Sequence, residues 1–212
     1  MSIRLVMFDC DGVLFESRRA NVEFYTEVLR RCGEPPLPDS GEGGAHELSS
    51  TDLFARYYGD RPELLERVRK TASTLDYGPF YEFMEPRENL RAILAELATR
   101  HRLAMATNRG KTTHEVLARF GLTDCFDLAV GAHDVERPKP YGDMLELCME
   151  HFGAGPDESV YVGDQMGDWK AADAAGVAFV GMGEAVSAAP RTIERLDELA
   201  GHLTELGREA CA

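Results

Sequence analysis

Two aspartates flank a cysteine where the first apolar run of the chain ends, in VMFDCDGVLF (residues 6–15). On an extended chain residues i and i+2 face the same side, so Asp9 and Asp11 can point together while Cys10 faces away. None of the six histidines has a sequence relation to Cys10 that indicates a thiolate pair. Cys10 is therefore expected to be a buried thiol, and an aspartate is the better candidate nucleophile.

A second pair of acids follows another apolar run, in YVGDQMGDWKAADAAG (residues 161–176). Taken alone, Asp164 and Asp168 could simply cap the next helix. Together with Asp9 and Asp11 they would place four carboxylates at the ends of two strands, where they repel one another unless a hard cation lies among them. Oxygen-only ligands favour Mg²⁺ over zinc, so we predict a magnesium site that suits phosphate. A calcium loop is not indicated, because the third ligand and later Glu of an EF-hand are missing.

Two further residues suit an anion. Thr107 ends an apolar run in ATNRGKTT, with a helical pattern behind it, so its hydroxyl and the following amides can bind an anion. Lys139 lies between two prolines, which restrict the backbone that carries its ammonium. A helix-capping threonine and a solvated lysine are the alternatives when each residue is considered alone.

Two glycine-containing stretches resemble nucleotide-binding motifs without meeting their requirements. RGKTT (residues 109–113) resembles the end of a P-loop, but Met105 stands where the first glycine is required. GEGG (residues 41–44) follows no predicted strand and is expected to be a flexible loop. A nucleotide cradle is not predicted from either.

Short apolar runs alternate with helical patterns along most of the chain, which is typical of a parallel sheet covered by helices. The predicted fold class is α/β, a Rossmann-like parallel five-stranded sheet with helices on both faces. Apolar periodicity predicts helices over 87–100, 112–121 and 141–153, the last two ending at glycine. The predicted strands cover residues 3–8, 102–107, 127–131, 159–163 and 177–181.

One stretch shows helical patterns and no convincing strand. We predict a helical cap domain over residues 16–81, inserted into an α/β core (catalytic) domain made of residues 1–15 and 82–212. Within the insert four residues could contact a substrate, although a solvated face or a core stripe is the simpler role for each. These residues are Arg18, His46, Tyr57 and Tyr58.

Composition excludes several classes of protein. The chain has 212 residues and a net charge of −14, and it carries no long run of Lys or Arg, so nucleic acid is not expected as a partner. No secretory leader or membrane span is indicated, and a cytoplasmic protein is expected. The five scattered cysteines show no CxxC spacing and predict neither disulfides nor a zinc site.

The ordered motifs resemble those of the haloacid dehalogenase superfamily from residue 3 to about 183. The insert resembles the family's small helical cap, and the whole is similar to the phosphoglycolate phosphatase-like branch. Dehalogenase and phosphonate-cleaving members lack the second aspartate of the first motif, so Asp11 favours phosphate-ester chemistry. The motifs are Asp9-Cys10-Asp11-Gly12-Val13, Thr107-Asn108, Lys139 within RPKP, and Gly163-Asp164-Gln165-Met166-Gly167-Asp168.

The resemblance implies a Mg²⁺-dependent phosphatase that acts through an aspartyl-phosphate. Asp9 would attack phosphorus, and Asp11 would protonate the leaving alcohol and then activate water. The resemblance also implies that Mg²⁺ is held by Asp9, Asp164 and the backbone carbonyl of Asp11. Asp168 would touch the metal through water or hold Lys139, and the sequence leaves both roles open. The implied phosphate-binding residues are Gly12, Thr107, Asn108 and Lys139.

The expected substrate is a small phosphorylated metabolite, with phosphoglycolate as the leading guess, bound by a monomer or dimer. A hexose-phosphate mutase, in which Asp9 passes phosphate to a sugar, is an alternative on the same scaffold. A non-enzymatic aspartate phosphoacceptor is a second alternative, but receiver modules carry the acceptor after an interior strand and have no helical insert. A P-loop nucleotidase is disfavoured by Met105.

Overall fold

The computed structural model describes residues 2–37 and 50–209. The chain divides into two compact units, Met1–Phe15 with Pro86–Ala212, and Glu16–Glu85. The predicted boundary after residue 81 falls inside a 3-10 helix, Gly78–Phe83, and the second unit continues to Glu85. His46 and the GEGG stretch lie outside the described residues.

The secondary structure elements are numbered in chain order. The strands are β1 (Leu5–Phe8), β2 (Phe15–Glu16), β3 (Glu85–Pro86), β4 (Arg102–Ala106), β5 (Leu128–Val130), β6 (Ser159–Gly163), β7 (Ala178–Met182) and β8 (Thr192–Ile193). The helices are α1 (Arg18–Arg31), α2 (Ser50–Tyr58), α3 (Pro62–Thr74), α4 (Leu90–Ala98), α5 (Thr113–Arg119), α6 (Asp143–Phe152), α7 (Met166–Ala175) and α8 (Leu199–Glu209). Across the described part of the chain, no helix combines the length and the hydropathy that a membrane crossing needs.

The first unit is built on a parallel sheet with strand order β5-β4-β1-β6-β7-β8. The predicted α/β fold is confirmed, but five strands is one too few. β8 has only two residues, Thr192 and Ile193, and pairs with the end of β7. An element this short has no apolar run or alternation by which the sequence could indicate it. The strands β2 and β3 lie where the chain passes between the two units and form a separate two-stranded sheet.

Strand β1 is buried on both of its faces, as expected for an interior strand of a parallel sheet. Its side chains alternate, so Leu5 and Met7 share one face and Val6 and Phe8 the other. The Leu5 face packs in one cluster with apolar residues of α6 and α7. On the other face Phe8 meets the edge of the Phe126 ring. The rigid centre of the sheet thus carries the segment that continues into Asp9.

The second unit contains α1 to α3 and the 3-10 helix Gly78–Phe83, and it has its own apolar core. The ring of Phe24 packs against the rings of Tyr77 and Phe80. Tyr58 is 8% exposed, and the Arg61 guanidinium lies 6.0 Å from its ring centroid. Tyr58 therefore packs within the helical unit, which is the alternative to its predicted contact with a substrate.

Candidate active site

The residues predicted to take part in chemistry follow neighbouring strands, at the edge of the sheet where the carboxyl ends of the strands lie. Asp9 directly follows β1, Thr107 follows β4, and Asp164 follows β6. The backbone amides of the first two still continue the sheet, since Asp9 N donates to Val162 O at 2.9 Å and Thr107 N donates to Val130 O at 3.0 Å. The backbone that carries these two side chains is therefore hydrogen-bonded into the sheet, at the edge where open parallel sheets bind ligands.

Three carboxylates come together there. Each of Asp9, Asp164 and Asp168 offers an oxygen within 4.8 Å of the other two. Burial, against the opposing charge of Lys139, raises the pKa of Asp9 from 3.8 to about 7. Burial and the charge of Asp168 raise the pKa of Asp164 well above its ordinary value. The cluster thus resists full ionisation when no cation is bound.

Lys139 is buried inside this cluster. Its Nζ lies 2.8 Å from Asp9 Oδ1, 2.7 Å from Asp168 Oδ1 and 2.8 Å from the Tyr161 hydroxyl. Burial alone would lower the pKa of Lys139, but the charges of Asp168 and Asp9 outweigh it and raise that pKa. The contacts with Asp168 and Tyr161 are hydrogen bonds and the contact with Asp9 is an ion pair, so the ammonium is held by three groups.

Both carboxylate oxygens of Asp168 accept hydrogen bonds. Oδ2 accepts from the backbone amides of Asp164 at 3.1 Å and Gln165 at 3.0 Å, at the start of α7. Oδ1 accepts from Lys139 Nζ. The sequence left open whether Asp168 touches a metal through water or holds Lys139. The structure shows the hydrogen bond to Lys139, and it also shows Asp168 capping the start of α7.

Asp11 does not join the cluster. Its Oδ1 accepts from Arg109 Nη2 at 2.6 Å and its Oδ2 accepts from Arg109 Nε at 2.8 Å, a bidentate pair. The expected cluster of four carboxylates is therefore a cluster of three, and the side chain of Asp11 faces a guanidinium instead. A carboxylate paired in this way needs no cation to offset its charge.

Gly12 and Asn108 shape the site without offering charge. Gly12 has a φ of 80°, and a Cβ there would lie 2.0 Å from Asp164 Oδ2, so the absence of a side chain lets that carboxylate approach the backbone. Asn108 Nδ2 donates to the backbone carbonyl of Lys139 at 3.1 Å. The Thr107 hydroxyl accepts from Arg109 N at 3.2 Å, and α5 begins only at Thr113, after an intervening loop.

Cys10 is fully buried, as predicted. Burial, followed by the charge of Asp11, raises the pKa of its thiol well above the ordinary value. A thiol that stays protonated and faces away from solvent is a poor nucleophile.

The chain matches a family of known proteins over most of its length. The family model described as haloacid dehalogenase-like hydrolase matches residues 6–182. The chain belongs to the haloacid dehalogenase-like hydrolases. The family predicted from its four motifs is thereby confirmed.

Relatives of this haloacid dehalogenase-like hydrolase include named phosphatases. The phosphoglycolate phosphatase of Photorhabdus laumondii is 30% identical over 85% of this chain and 80% of its own. The pyrophosphatase PpaX of Halalkalibacterium halodurans is 29% identical over 88% of this chain and 86% of its own. A crystal structure of a subfamily IA haloacid dehalogenase-superfamily hydrolase from Geobacter sulfurreducens superposes with a TM-score of 0.73, 33% identity and coverage of 95% and 96%. The prediction of a phosphatase-type hydrolase is confirmed.

Two residues at this hydrolase's site were missed in the sequence. Tyr161 lies in the fully buried strand β6, and its hydroxyl is 2.9 Å from Ala106 O as well as bound to Lys139. A tyrosine in a buried strand needs a polar partner, which was a usable signal. Arg109 follows Asn108 directly, but it falls in the RGKTT stretch, and no local pattern points from it to Asp11.

Proposed function

We propose that the protein is a Mg²⁺-dependent phosphatase that hydrolyses a small phosphomonoester through an aspartyl-phosphate on Asp9. The observation that carries this proposal is the pairing of a buried Asp9 with Lys139 at 2.8 Å beside the carboxylate of Asp164. A carboxylate beside both an ammonium and further carboxylates can meet an anionic substrate only if more positive charge is supplied.

The donor set supports a magnesium site. Asp9 and Asp164 offer carboxylate oxygens, and Asp164 Oδ1 is buried without a hydrogen-bond partner. An unpartnered buried carboxylate oxygen is costly, and a hard cation is the partner that such an oxygen prefers. We assign Mg²⁺ to Asp9, Asp164 and the backbone carbonyl of Asp11, with Asp168 holding Lys139. When bound, the ion would offset the negative charges of Asp9 and the phosphate.

In the first half of the proposed reaction Asp9 is the nucleophile. An oxygen of its carboxylate bonds to phosphorus while the bond from phosphorus to the alcohol oxygen breaks. Asp11, in its protonated form, gives its proton to the departing alcohol oxygen. The products of this half are the free alcohol, an ionised Asp11 and a phosphorylated Asp9.

The second half regenerates the enzyme. Asp11, now ionised, takes a proton from water as the water oxygen bonds to phosphorus. The bond between phosphorus and the Asp9 oxygen breaks, which releases inorganic phosphate and restores both aspartates. The same residue thus serves as acid and base in turn.

Positioning and charge supply the remaining stabilisation. Lys139 holds Asp9 in place and brings a positive charge to the transferring group, while Thr107 and Asn108 stand at the end of the neighbouring strand. Gly12 leaves the room that the Asp164 carboxylate occupies. These roles are supported by the burial of Lys139 and Thr107, since side chains fixed before the substrate arrives need little reorganisation.

For the substrate we propose a phosphoglycolate-like ester. The named relatives support this choice, since a phosphoglycolate phosphatase is 30% identical over most of the chain. Release of inorganic phosphate from a panel of phosphorylated metabolites tests it, with phosphoglycolate, pyrophosphate and hexose phosphates in the panel. The highest kcat/KM on phosphoglycolate would support the proposal. Interconversion of hexose phosphates without phosphate release would replace it with the mutase alternative.

The mechanism is tested with Asp11→Asn and p-nitrophenyl phosphate. Nitrophenolate leaves without an acid, so Asp9 still becomes phosphorylated, but water then lacks its base. We expect a burst of nitrophenolate near one equivalent, and acid-quenched protein heavier by one phosphoryl group on the peptide that contains Asp9. Asp9→Asn should show neither. Absence of the burst and of the added mass in folded, Mg²⁺-binding Asp11→Asn protein would refute the mechanism.

A further inference from the structure

We propose that Arg109 is the positioning residue of Asp11, an inference that rests on the function proposed above. The two residues are 98 positions apart in the sequence, and their side chains are 6% and 16% exposed. Two hydrogen bonds, of 2.6 and 2.8 Å, join the guanidinium to both oxygens of the carboxylate. The pair is therefore a largely buried contact between the loop after β1 and the loop after β4.

The form of the contact fixes an orientation as well as a charge. A guanidinium is a planar fork, and a carboxylate that accepts from two of its N–H groups lies in the same plane. A single ammonium could attract Asp11 but could not set the plane of its carboxylate. The bidentate pair is the ionised form of Asp11, which acts as the base; when Asp11 carries the proton that it gives to the alcohol, only its other oxygen accepts from Arg109. In both forms the guanidinium sets the plane of the carboxyl group, and proton transfer depends on that plane because the proton travels along a hydrogen bond to the reacting oxygen.

Arg109 is itself held rigidly enough to serve as a reference. Its backbone carbonyl accepts from Ala132 N at 2.8 Å and from the Thr113 hydroxyl at 3.0 Å. Its backbone amide donates to the hydroxyl of Thr107 at 3.2 Å. The residue that orients Asp11 is therefore tied to the threonine that we assign to the phosphate site.

The loop that carries Asp11 is also fixed by its backbone. The amides of Leu14 and Phe15 donate to Cys10 O at 3.0 and 3.1 Å, and Arg87 Nη2 donates to Gly12 O at 2.5 Å. The contact with Arg109 limits the side-chain torsions of Asp11 as well. Loss of Arg109 should therefore misplace the acid and base while leaving the loop in place.

The test combines two esters with a double-mutant cycle. In Arg109→Lys the charge is kept and the fork is lost. We expect kcat for phosphoglycolate, whose alcohol needs an acid, to fall about 10- to 100-fold, as for other residues that orient a reacting group. The burst rate on p-nitrophenyl phosphate, whose leaving group needs none, should stay within about threefold of the unchanged protein. Arg109→Lys combined with Asp11→Asn should be within about twofold of Asp11→Asn alone, because the two changes remove one function.

The controls separate this role from binding and from folding. Arg91→Gln removes another bidentate arginine–aspartate pair, with Asp124, that is exposed and lies outside the site, and it should leave both activities unchanged. Equal losses on both esters with a raised KM would show that Arg109 binds substrate, and additive losses in the double variant would show that it acts apart from Asp11. Either result overturns the inference, as would a loss matched by a fall in Tm that Arg109→Gln shares. Full turnover by Asp11→Asn on phosphoglycolate would instead overturn the proposed function.

Discussion

The hydroxyl of Tyr161 lies 2.8 Å from the ammonium of Lys139, and both side chains are buried. This hydroxyl is the third partner of an ammonium whose other two partners are carboxylates. A neutral partner fixes the ammonium without cancelling more of its charge. Tyr161 thus holds Lys139 in place and takes no part itself in the proposed bond changes.

We expect Tyr161→Phe to lower kcat about tenfold or more, because a hydrogen bond to a charged group contributes about 1.5–3 kcal/mol. The fold should be retained, since the ring keeps its contacts in the core. Steady-state kinetics with a thermal unfolding curve checks both statements. Tyr141→Phe is the matched control, because Tyr141 is 52% exposed and close to Lys139 in sequence. Equal kcat values for the two variants would contradict the proposed support.

Gly12→Ala should impair metal binding more than stability. A Cβ at residue 12 would meet Asp164 Oδ2 at 2.0 Å, so the carboxylate must move. Gly153→Ala is the control, because Gly153 has a φ of 58° and nothing lies within 4 Å of its virtual Cβ. Both variants should lose about 1 kcal/mol from the left-handed backbone. Titration calorimetry with Mg²⁺ should show weakened binding for Gly12→Ala alone, and normal binding would contradict the assignment of Asp164.

Removal of divalent cations should abolish turnover, and Mg²⁺ should restore it. Ca²⁺ is larger and accepts more ligands, so we expect it to occupy the carboxylate site and support little reaction. The measurement is phosphate release after EDTA treatment and readdition of each ion. Asp164→Asn should not recover at Mg²⁺ concentrations that restore the unchanged protein. Full activity in EDTA would refute the metal assignment.

In the metal-free protein, Asp9 should contribute a loss of stability as pH rises from about 4 to above 7. The pKa of Asp9 is about 7 in the folded protein and near 3.8 in the unfolded chain, so the folded state binds more protons in this range. When the folded state binds more protons, the free energy of unfolding decreases with increasing pH. Urea unfolding in EDTA at several pH values measures this decrease.

Two controls accompany the pH series. Mg²⁺ at saturating concentration should reduce the decrease, because a bound cation favours the ionised carboxylates. Asp9→Asn should remove the contribution of Asp9 in EDTA, since its amide does not titrate. The same pH dependence of the free energy of unfolding in Asp9→Asn and in the unchanged protein would contradict this expectation.

Cys10→Ala should keep the kcat of the unchanged protein. The thiol is buried and its pKa is raised, so it takes no part in the proposed reaction. The cost should be confined to packing, about 0.5–3 kcal/mol. Labelling of the native protein with a thiol reagent should reach the half-buried Cys32 and Cys125 before Cys10. A phosphoryl group found on the Cys10 side chain would reverse the assignment of the nucleophile.

Much of the fold was accessible from local pattern. The five predicted strands are present within one or two residues, because each is an apolar run long enough to stand out between helices. Gly153 ends α6 in the left-handed conformation that its position predicted. The short β8 and the end of the helical unit at Glu85 have no such pattern, since both depend on contacts made elsewhere in the fold.

The residues of the site show the same difference between local sequence pattern and contacts made elsewhere in the fold. Asp9 and Asp164 were predictable because each directly follows a buried strand, and parallel strands end at one edge. The contact of Asp11 with Arg109 spans 98 positions and depends on side-chain torsions, which no sequence spacing specifies. The contact of Asp168 with Lys139 spans 29 positions and is of the same kind.

The position of β1 between β4 and β6 has a consequence for how the protein is made. The strand that leads to Asp9 is synthesised before both of its neighbours in the sheet, residues 102–106 and 159–163. Until both have been synthesised, the apolar segment Leu5–Phe8 has open edges and no partner, which exposes it to aggregation. A nascent chain therefore cannot assemble the carboxylate cluster until β6 has emerged, because Asp164 and Asp168 follow that strand.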